Sequence, residues 1–268
     1  MPDRIDFRTL FLHIDGPVAT CTFNRPDKRN AFNAQMIRDI TKVANDVGKM
    51  DEVRVMVVTG AGTAFSAGAD LNWMKSMKDF SYEENIRDAE ALADCMNAIY
   101  ACPKPTIARV NGPAIGGGNG LVCACDIAIA AEEAIFSLSE VKVGLVPATI
   151  GPYVVKRVGE ANAKYLMLTG RRFNGIEAAE YGLVNWAVPR DQLNEEVDNL
   201  IERLLTSGPN AMYMVKELIR NAPGMPYDEA RTYTAKMIAE LRISEEGQEG
   251  ISAFLEKRKP SWSREGLE

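Results

Sequence analysis

Two glycine-rich segments and one carboxylate stand out in the sequence because together they could do chemistry on a carbonyl group. The first segment covers residues 65–71 (FSAGADL), and the second covers residues 111–120 (NGPAIGGGNG). Glycine lets bare backbone approach a ligand closely, and a helix that begins just after such a loop presents unpaired N–H groups. Two of these N–H groups on one carbonyl oxygen would form an oxyanion hole. Glu140, which follows the second segment, could then move protons beside that carbonyl.

The sequence around Glu140 is apolar, which is unusual for a carboxylate. The apolar neighbours are Phe136, Leu138, Val141, Val143, Leu145 and Val146. A carboxyl group among such side chains tends to have a raised pKa, which suits proton transfer near neutral pH. Taken singly, either loop is equally well explained as a tight strand-to-helix turn, and an isolated glutamate is usually solvated. The combination is what indicates a catalytic site.

Other familiar kinds of site fit the sequence poorly. A dinucleotide-binding fingerprint needs a third glycine where Leu121 stands, and no phosphate-binding P-loop motif is present. A serine triad needs a histidine base, yet the single histidine, His13, falls in a predicted N-terminal strand. One histidine also argues against an ordinary zinc site. We therefore expect neither a metal nor a redox cofactor.

Composition narrows the class of protein further. The 268 residues are 46% hydrophobic and 25% charged, which is typical of a globular domain. A net charge of −6 argues against nucleic acid as a partner.

The cysteines are odd in number and form no C-x-x-C pair, which predicts reduced thiols. With no membrane-length apolar run and no signal-peptide core, we expect a cytoplasmic protein that does not bind membranes.

Apolar periodicity predicts an α/β core followed by helices. Strands are predicted over residues 9–14, 18–24, 53–59, 106–110 and 126–130, and helices over 33–49, 81–100 and 118–125. From residue 153 onward the pattern is almost entirely helical, with only residues 183–188 extended. We therefore predict a core over residues 1–200 and a helical C-terminal region over residues 201–268. Because such helices cannot bury both faces alone, we expect a homo-oligomer.

Together these motifs resemble the crotonase (enoyl-CoA hydratase/isomerase) superfamily. The matching segments are residues 24–32 (NRPDKRNAF), 67–70 (AGAD), 111–118 (NGPAIGGG), 125–130 (CDIAIA), 168–171 (LTGR), 178–185 (AAEYGLVN) and 249–258 (EGISAFLEKR). The resemblance implies an α/β spiral of ββα turns with a helical C-terminal extension. It also implies a homotrimer or a dimer of trimers, whose C-terminal helices serve trimerisation, with an acyl-CoA as substrate.

The resemblance also assigns roles to individual residues. Ala69 and Gly117 match the two oxyanion-hole N–H donors, and Glu140 matches a catalytic acid/base. The implied substrate-binding positions are Arg25, Lys28, Ala31, Ala67, Asp70, Leu71, Gly116, Gly120, Phe254 and Lys257. Phe254 and Lys257 resemble residues that reach the CoA of an adjacent subunit, although core packing and a solvated charge explain them equally well. Coenzyme A enters only as part of the substrate, with no separate cofactor.

One departure from the family pattern bears on the reaction. Hydratases with two glutamates place the first of them three residues after the middle glycine, where this chain has Gly120. Residues 139–155 resemble bacterial methylglutaconyl-CoA and isohexenylglutaconyl-CoA hydratases, several of which lack that glutamate. We therefore expect a hydratase of an α,β-unsaturated acyl-CoA, resembling those of leucine degradation, with one acid/base group. A Δ3,Δ2-enoyl-CoA isomerase, a decarboxylase, a thioesterase and a non-catalytic acyl-CoA-binding protein remain as alternatives.

Overall fold

A seven-stranded sheet runs through the computed structural model, which describes residues 3–263. The strands are β1 (Asp3–Asp6), β2 (Leu10–Asp15), β3 (Val18–Phe23), β4 (Val55–Gly60), β5 (Thr106–Val110), β6 (Ala114–Ile115), β7 (Ile127–Ala131), β8 (Phe136–Ser137), β9 (Arg172–Phe173) and β10 (Trp186–Val188). The long sheet has the order β1-β2-β3-β4-β5-β7-β10, antiparallel up to β3 and parallel from there on. A small second sheet, β6-β8-β9, carries the site described below.

Helices cover the sheet and form the C-terminal part of the chain. They are α1 (Ala34–Gly48), α2 (Leu71–Ser76), α3 (Tyr82–Tyr100), α4 (Gly117–Ala124), α5 (Gly151–Thr169), α6 (Gly175–Glu180), α7 (Leu193–Leu205), α8 (Pro209–Asn221), α9 (Tyr227–Ile243) and α10 (Glu245–Glu256). Short 3-10 helices include Pro26–Lys28 and Glu140–Val143. This mixed α/β architecture with a helical C-terminal extension confirms the predicted fold class.

Local sequence explains most of these elements. All six residues of β4 are buried, as expected for a parallel strand covered on both faces. The Asn33 side chain accepts a hydrogen bond from Met36 N–H (2.9 Å) and so begins α1. Ser81 and Glu84 form the predicted capping box at the start of α3. The five strands predicted before residue 153 are confirmed to within two residues, and the extended segment predicted over residues 183–188 contains β10, which begins three residues later.

Helix α5 is interrupted at Gly159, where φ is +75° and ψ is 164°, so it consists of two helical stretches on either side of that residue. The structure differs from the predicted elements at its shortest ones. Strand β1, helix α2 and the two-residue strands β6, β8 and β9 were not predicted. They are too short for apolar periodicity to show, because a helix or strand needs several residues to display its repeat.

The C-terminal helices follow directly from the core. Helix α7 packs on β7 and spans residue 200, the predicted boundary. Beyond it, the Glu246 carboxylate accepts hydrogen bonds from Asn210 N–H and Ala211 N–H (both 2.8 Å), which joins the start of α10 to the start of α8. The division into two domains stays a prediction. The last five residues of the predicted C-terminal region, 264–268, lie outside the described residues.

Candidate active site

The first glycine loop lies beside Phe32 in a short parallel bridge. Phe32 N–H donates to the Gly68 carbonyl (2.6 Å), and Asp70 N–H donates to the Phe32 carbonyl (2.8 Å). Ala69 lies between these two bonds, so its own N–H points away from Phe32 and has no hydrogen-bond partner within residues 3–263. This leaves the first predicted oxyanion donor available to a ligand.

A second bridge holds the two glycine loops together. Ser66 N–H donates to the Pro113 carbonyl (3.0 Å), and Ile115 N–H donates to the Ser66 carbonyl (2.9 Å). Helix α4 begins two residues later at Gly117, whose N–H is one of the first-turn donors that a helix leaves unpaired. It too lacks a partner in the described part of the chain. Both predicted donors therefore lie free in loops that are paired to each other.

Glu140 lies against the second loop. It opens the 3-10 helix three residues after Ser137, whose carbonyl accepts a hydrogen bond from Gly116 N–H (2.9 Å). Gly116 has φ of +50°, and a Cβ built on it would lie 3.0 Å from Glu140 Oε1. Only glycine combines this backbone conformation with this close approach. The carboxylate is thereby placed directly beside the residue that precedes Gly117.

The carboxyl group of Glu140 is half-buried, and its Oε2 is fully buried without a hydrogen-bond partner among residues 3–263. Burial raises the pKa of this carboxyl, and a hydrogen bond to its own backbone acts in the opposite direction. No neighbouring charged side chain in the described chain contributes to the shift. A carboxyl group in this state is suited to accept and return protons close to neutral pH.

Gly120 is closed in by neighbouring side chains. A Cβ built on it would lie 2.3 Å from Ile150 Cγ2, 2.8 Å from Ile150 Cβ and 3.2 Å from Met96 Sδ. Ile150 and Met96 are themselves buried. Position 120 therefore has no room for a side chain while Ile150 stays in place, and the structure places Gly120 in the interior of the protein against an apolar wall.

Arg25 and Asp70 form a largely buried ion pair beside the first loop, with Arg25 Nη2 2.7 Å from Asp70 Oδ2. Arg25 also donates to the Ala31 carbonyl. Asp70 caps α2 by accepting a hydrogen bond from Asn72 N–H (2.8 Å). Burial disfavours the charged carboxylate, but the bonds from Arg25 and Asn72 outweigh it and lower the pKa of Asp70. The pair fixes the segment that carries Ala69.

The remaining predicted binding residues fall into two groups. Lys28, Ala67 and Leu71 lie on the segments around the first loop: Lys28 is exposed, Ala67 N–H donates to the Arg29 carbonyl (2.9 Å), and Leu71 is 74% exposed. Phe254 and Lys257 lie at the end of α10, which packs on α9, and Phe254 is 83% exposed. Among residues 3–263, no hydrogen bond or ion pair joins either residue to the glycine loops.

Asn30 supports the site but was not singled out in the sequence. Its Nδ2 donates to the carbonyls of Ala61 (2.9 Å) and Ala64 (2.8 Å), and its Oδ1 accepts from Arg25 N–H (2.9 Å). Its carbonyl accepts from Ser66 Oγ (2.8 Å). Asn30 has φ of +54°, a conformation that asparagine tolerates better than most residues. In the sequence, the sign of this role is an asparagine that lies between the strand predicted over residues 18–24 and the helix predicted over residues 33–49.

Three further features of the described residues concern metal ligands, membrane helices and cysteines. Among residues 3–263, no group of three or more histidine, cysteine, aspartate or glutamate residues is placed to hold a metal ion. No helix in the same range is long and apolar enough to cross a membrane. The five cysteines are all buried as free thiols.

Comparison with known proteins gives a consistent result. The family model described as enoyl-CoA hydratase/isomerase matches residues 13–265. A Thermus thermophilus protein named putative enoyl-CoA hydratase is 39% identical over 245 residues, covering 91% of this chain and 97% of the relative. The crystal structure of an enoyl-CoA hydratase from Shewanella pealeana is 40% identical, with a TM-score of 0.92 over 95% of this chain and 96% of the other. A trans-2-decenoyl-[acyl-carrier-protein] isomerase from Streptococcus mutans is 29% identical over 97% of this chain and 99% of its own length.

The packing at Gly120 predicts a steric cost for any added side chain. We expect Gly120→Ala to lower the free energy of unfolding by about 1–3 kcal/mol, since Ile150 and Met96 must move to admit the methyl group. Urea denaturation measures the change. Gly151→Ala is the matched control, because a Cβ there would meet only Met167 Cε at 3.9 Å. Equal stabilities for the two variants would contradict this packing.

The raised pKa of Glu140 predicts a pH-dependent stability difference between the wild type and Glu140→Gln. A carboxyl whose folded-state pKa is raised contributes most to stability when protonated, at low pH, and that contribution is lost as pH rises through its folded pKa. The melting temperature of Glu140→Gln relative to the wild type should therefore be higher at pH 8 than at pH 4. Thermal melts at both pH values test this, and a difference that shrinks with rising pH would show that burial does not penalise the carboxylate.

Proposed function

The chain belongs to the enoyl-CoA hydratase/isomerase family, and we propose that it adds water to an α,β-unsaturated acyl-CoA thioester. One observation carries the proposal: Glu140, with its buried and unpaired Oε2, lies beside the loop that ends in the free Gly117 N–H. The free Ala69 N–H lies on the loop paired with it. The proposed site therefore combines two N–H groups that would polarise a carbonyl with a carboxyl group that would transfer protons.

In the proposed mechanism, the N–H groups of Ala69 and Gly117 bind the thioester oxygen. They stabilise the negative charge that develops there as the enolate forms. Glu140 takes a proton from water while the water oxygen bonds to the β-carbon, and it then delivers a proton to the α-carbon. The carboxylate is regenerated, so one group serves as both base and acid.

The substrate we propose is branched or carboxylated, similar to methylglutaconyl-CoA, as the likeness of residues 139–155 to such hydratases suggests. The loop from Arg25 to Ala31 and the Ala67 backbone would border the CoA, with the exposed Lys28 near its phosphates. In a homotrimer or a dimer of trimers, Phe254 and Lys257 would reach the CoA of an adjacent subunit. Their exposure on α10 supports this arrangement.

The proposed reaction uses no metal or redox cofactor, because two backbone N–H groups polarise the carbonyl. Coenzyme A takes part only as a portion of the substrate. A cytoplasmic location is supported by five cysteines that are free and buried, since disulfides are rare in that compartment.

A Δ3,Δ2-enoyl-CoA isomerase is the second candidate, and the glycine at position 120 favours it. Glu140 has no second carboxylate at this position to hold a water molecule, and Ile150 packs against the position instead. An isomerase needs only one base, which takes a proton from one carbon and returns it to another. The Streptococcus mutans relative named as an isomerase supports the same interpretation.

The role of Glu140 predicts the effect of its amide variant. Glu140→Gln should lower kcat by at least about a hundredfold, as removal of a general acid/base does, while the affinity for acyl-CoA measured by calorimetry stays similar. Glu133→Gln is the control, because Glu133 is exposed and pairs with Arg190 at the surface. Near-full activity of Glu140→Gln would remove Glu140 from the mechanism.

The reaction itself is tested by mass spectrometry of an enoyl-CoA panel incubated with the protein in ¹⁸O-labelled water. The panel includes 3-methylglutaconyl-CoA and unbranched 2-enoyl and 3-enoyl thioesters. We expect a product that gains one labelled water. A shifted double bond without label would instead establish the isomerase. No conversion of any thioester, with CoA binding intact, would favour a non-catalytic acyl-CoA-binding protein.

A further inference from the structure

Asn119 is the one polar side chain in the first turn of α4, between Gly118 and Gly120, and it is fully buried. Its Nδ2 donates to the carbonyls of Ala114 and Ser137, both at 2.8 Å. Asparagine has a lower intrinsic helix propensity than most residues. Its presence here therefore calls for a reason beyond helix formation.

The two bonds of Asn119 join the helix that carries one catalytic group to the strand that leads to the other. Ala114 belongs to β6, which runs into Gly117, and Ser137 belongs to β8, which runs into Glu140. The Ser137 carbonyl accepts from both Gly116 N–H (2.9 Å) and Asn119 Nδ2. Asn119 thus fastens β8 to the first turn of α4 at a second point.

The other half of the Asn119 amide has no partner. Its Oδ1 is buried and unpaired among residues 3–263, and the only other buried side-chain oxygen in that condition is Glu140 Oε2. Leaving a buried oxygen unpaired costs about 1–3 kcal/mol. The chain therefore tolerates an unfavourable oxygen to keep two donors in place, and both such oxygens belong to the same small region.

We propose that Asn119 is a positioning residue that sets the place of Glu140 relative to the Gly117 N–H. The inference rests on the proposed function of Glu140 and Gly117, and it adds a residue that touches neither substrate nor reacting atoms. A displacement of even about 1 Å between a proton-transfer group and an oxyanion hole can cost a hundredfold in rate. The hydrogen bonds from Asn119 to the carbonyls of Ala114 and Ser137 prevent such a displacement.

The test compares Asn119→Leu, which keeps the volume and removes both donors, with Asn119→Ala, which removes them without risk of overpacking. Both should lower kcat roughly tenfold to a hundredfold while KM stays within about threefold, because the Arg25–Ala31 segment is untouched. The acidic limb of the kcat/KM profile should also move to lower pH. Once Glu140 is less well held, water reaches it and its pKa falls towards the ordinary value for a glutamate.

Asn111→Ala is the matched control. Asn111 is also buried and donates to two carbonyls, those of Gly60 (2.9 Å) and Gly62 (3.1 Å), but it does not contact β8. It should lower the melting temperature and leave the acidic limb in place. If the Asn119 variants behave in the same way, or if neither of them folds, Asn119 is a stability residue and the proposal is overturned.

A second readout needs no substrate. The pH-dependent difference in melting temperature between the wild type and Glu140→Gln is measured again with Asn119→Ala added to both proteins. The proposal predicts that this difference becomes smaller, whereas an unchanged difference contradicts it. Absence of turnover in the wild type would count against the proposed function alone, so the two failures are distinguishable.

Discussion

The candidate site depends on backbone hydrogen bonds made outside the main sheet. Phe32 pairs with the first glycine loop, Ser66 of that loop pairs with the second, and Gly116 of the second pairs with Ser137. Each connection uses backbone groups that every residue type except proline supplies, so the relative position of the loops is insensitive to most side-chain changes. What the arrangement does require is the absence of a side chain at close approaches between these segments. Gly68 and Gly116 meet that requirement, and both also have a positive φ.

The same arrangement carries an electrostatic cost that the rest of the protein has to offset. Glu140 has an unpaired buried oxygen, and burial disfavours its charged form. The charged form of Asp70, by contrast, is stabilised, because this carboxylate pairs with Arg25 and caps a helix. The contrast separates the two carboxylates by role. A paired, hydrogen-bonded carboxylate holds the loop in place, whereas a partly buried and unpaired one is suited to exchange protons.

Much of this could be predicted from the sequence, because it is encoded locally. The apolar run of β4, the capping box at Ser81 and the two glycine loops each show within a few residues. The contact of Ile150 with Gly120 joins residues thirty positions apart, and no periodicity reports it. Strands β6 and β8 have two residues each, so their pairing exists only in the folded chain. In the proposed trimer, the places of Phe254 and Lys257 against a ligand would depend on a second subunit, which one sequence does not position.

The packing of Ile150 against Gly120 bears on whether the protein catalyses hydration or isomerisation. In the proposed mechanism, both reactions would pass through an enolate held by the same two N–H groups, and both would use Glu140 to move a proton. Because residue 120 is a glycine with Ile150 packed against it, no second carboxylate at this position can fix a water molecule beside the β-carbon. Hydration then requires water to be held by Glu140, by backbone groups or by the substrate itself. A carboxylated acyl chain would bring its own polar atoms to the site, so in the proposed mechanism the identity of the acyl group and the type of reaction would be coupled.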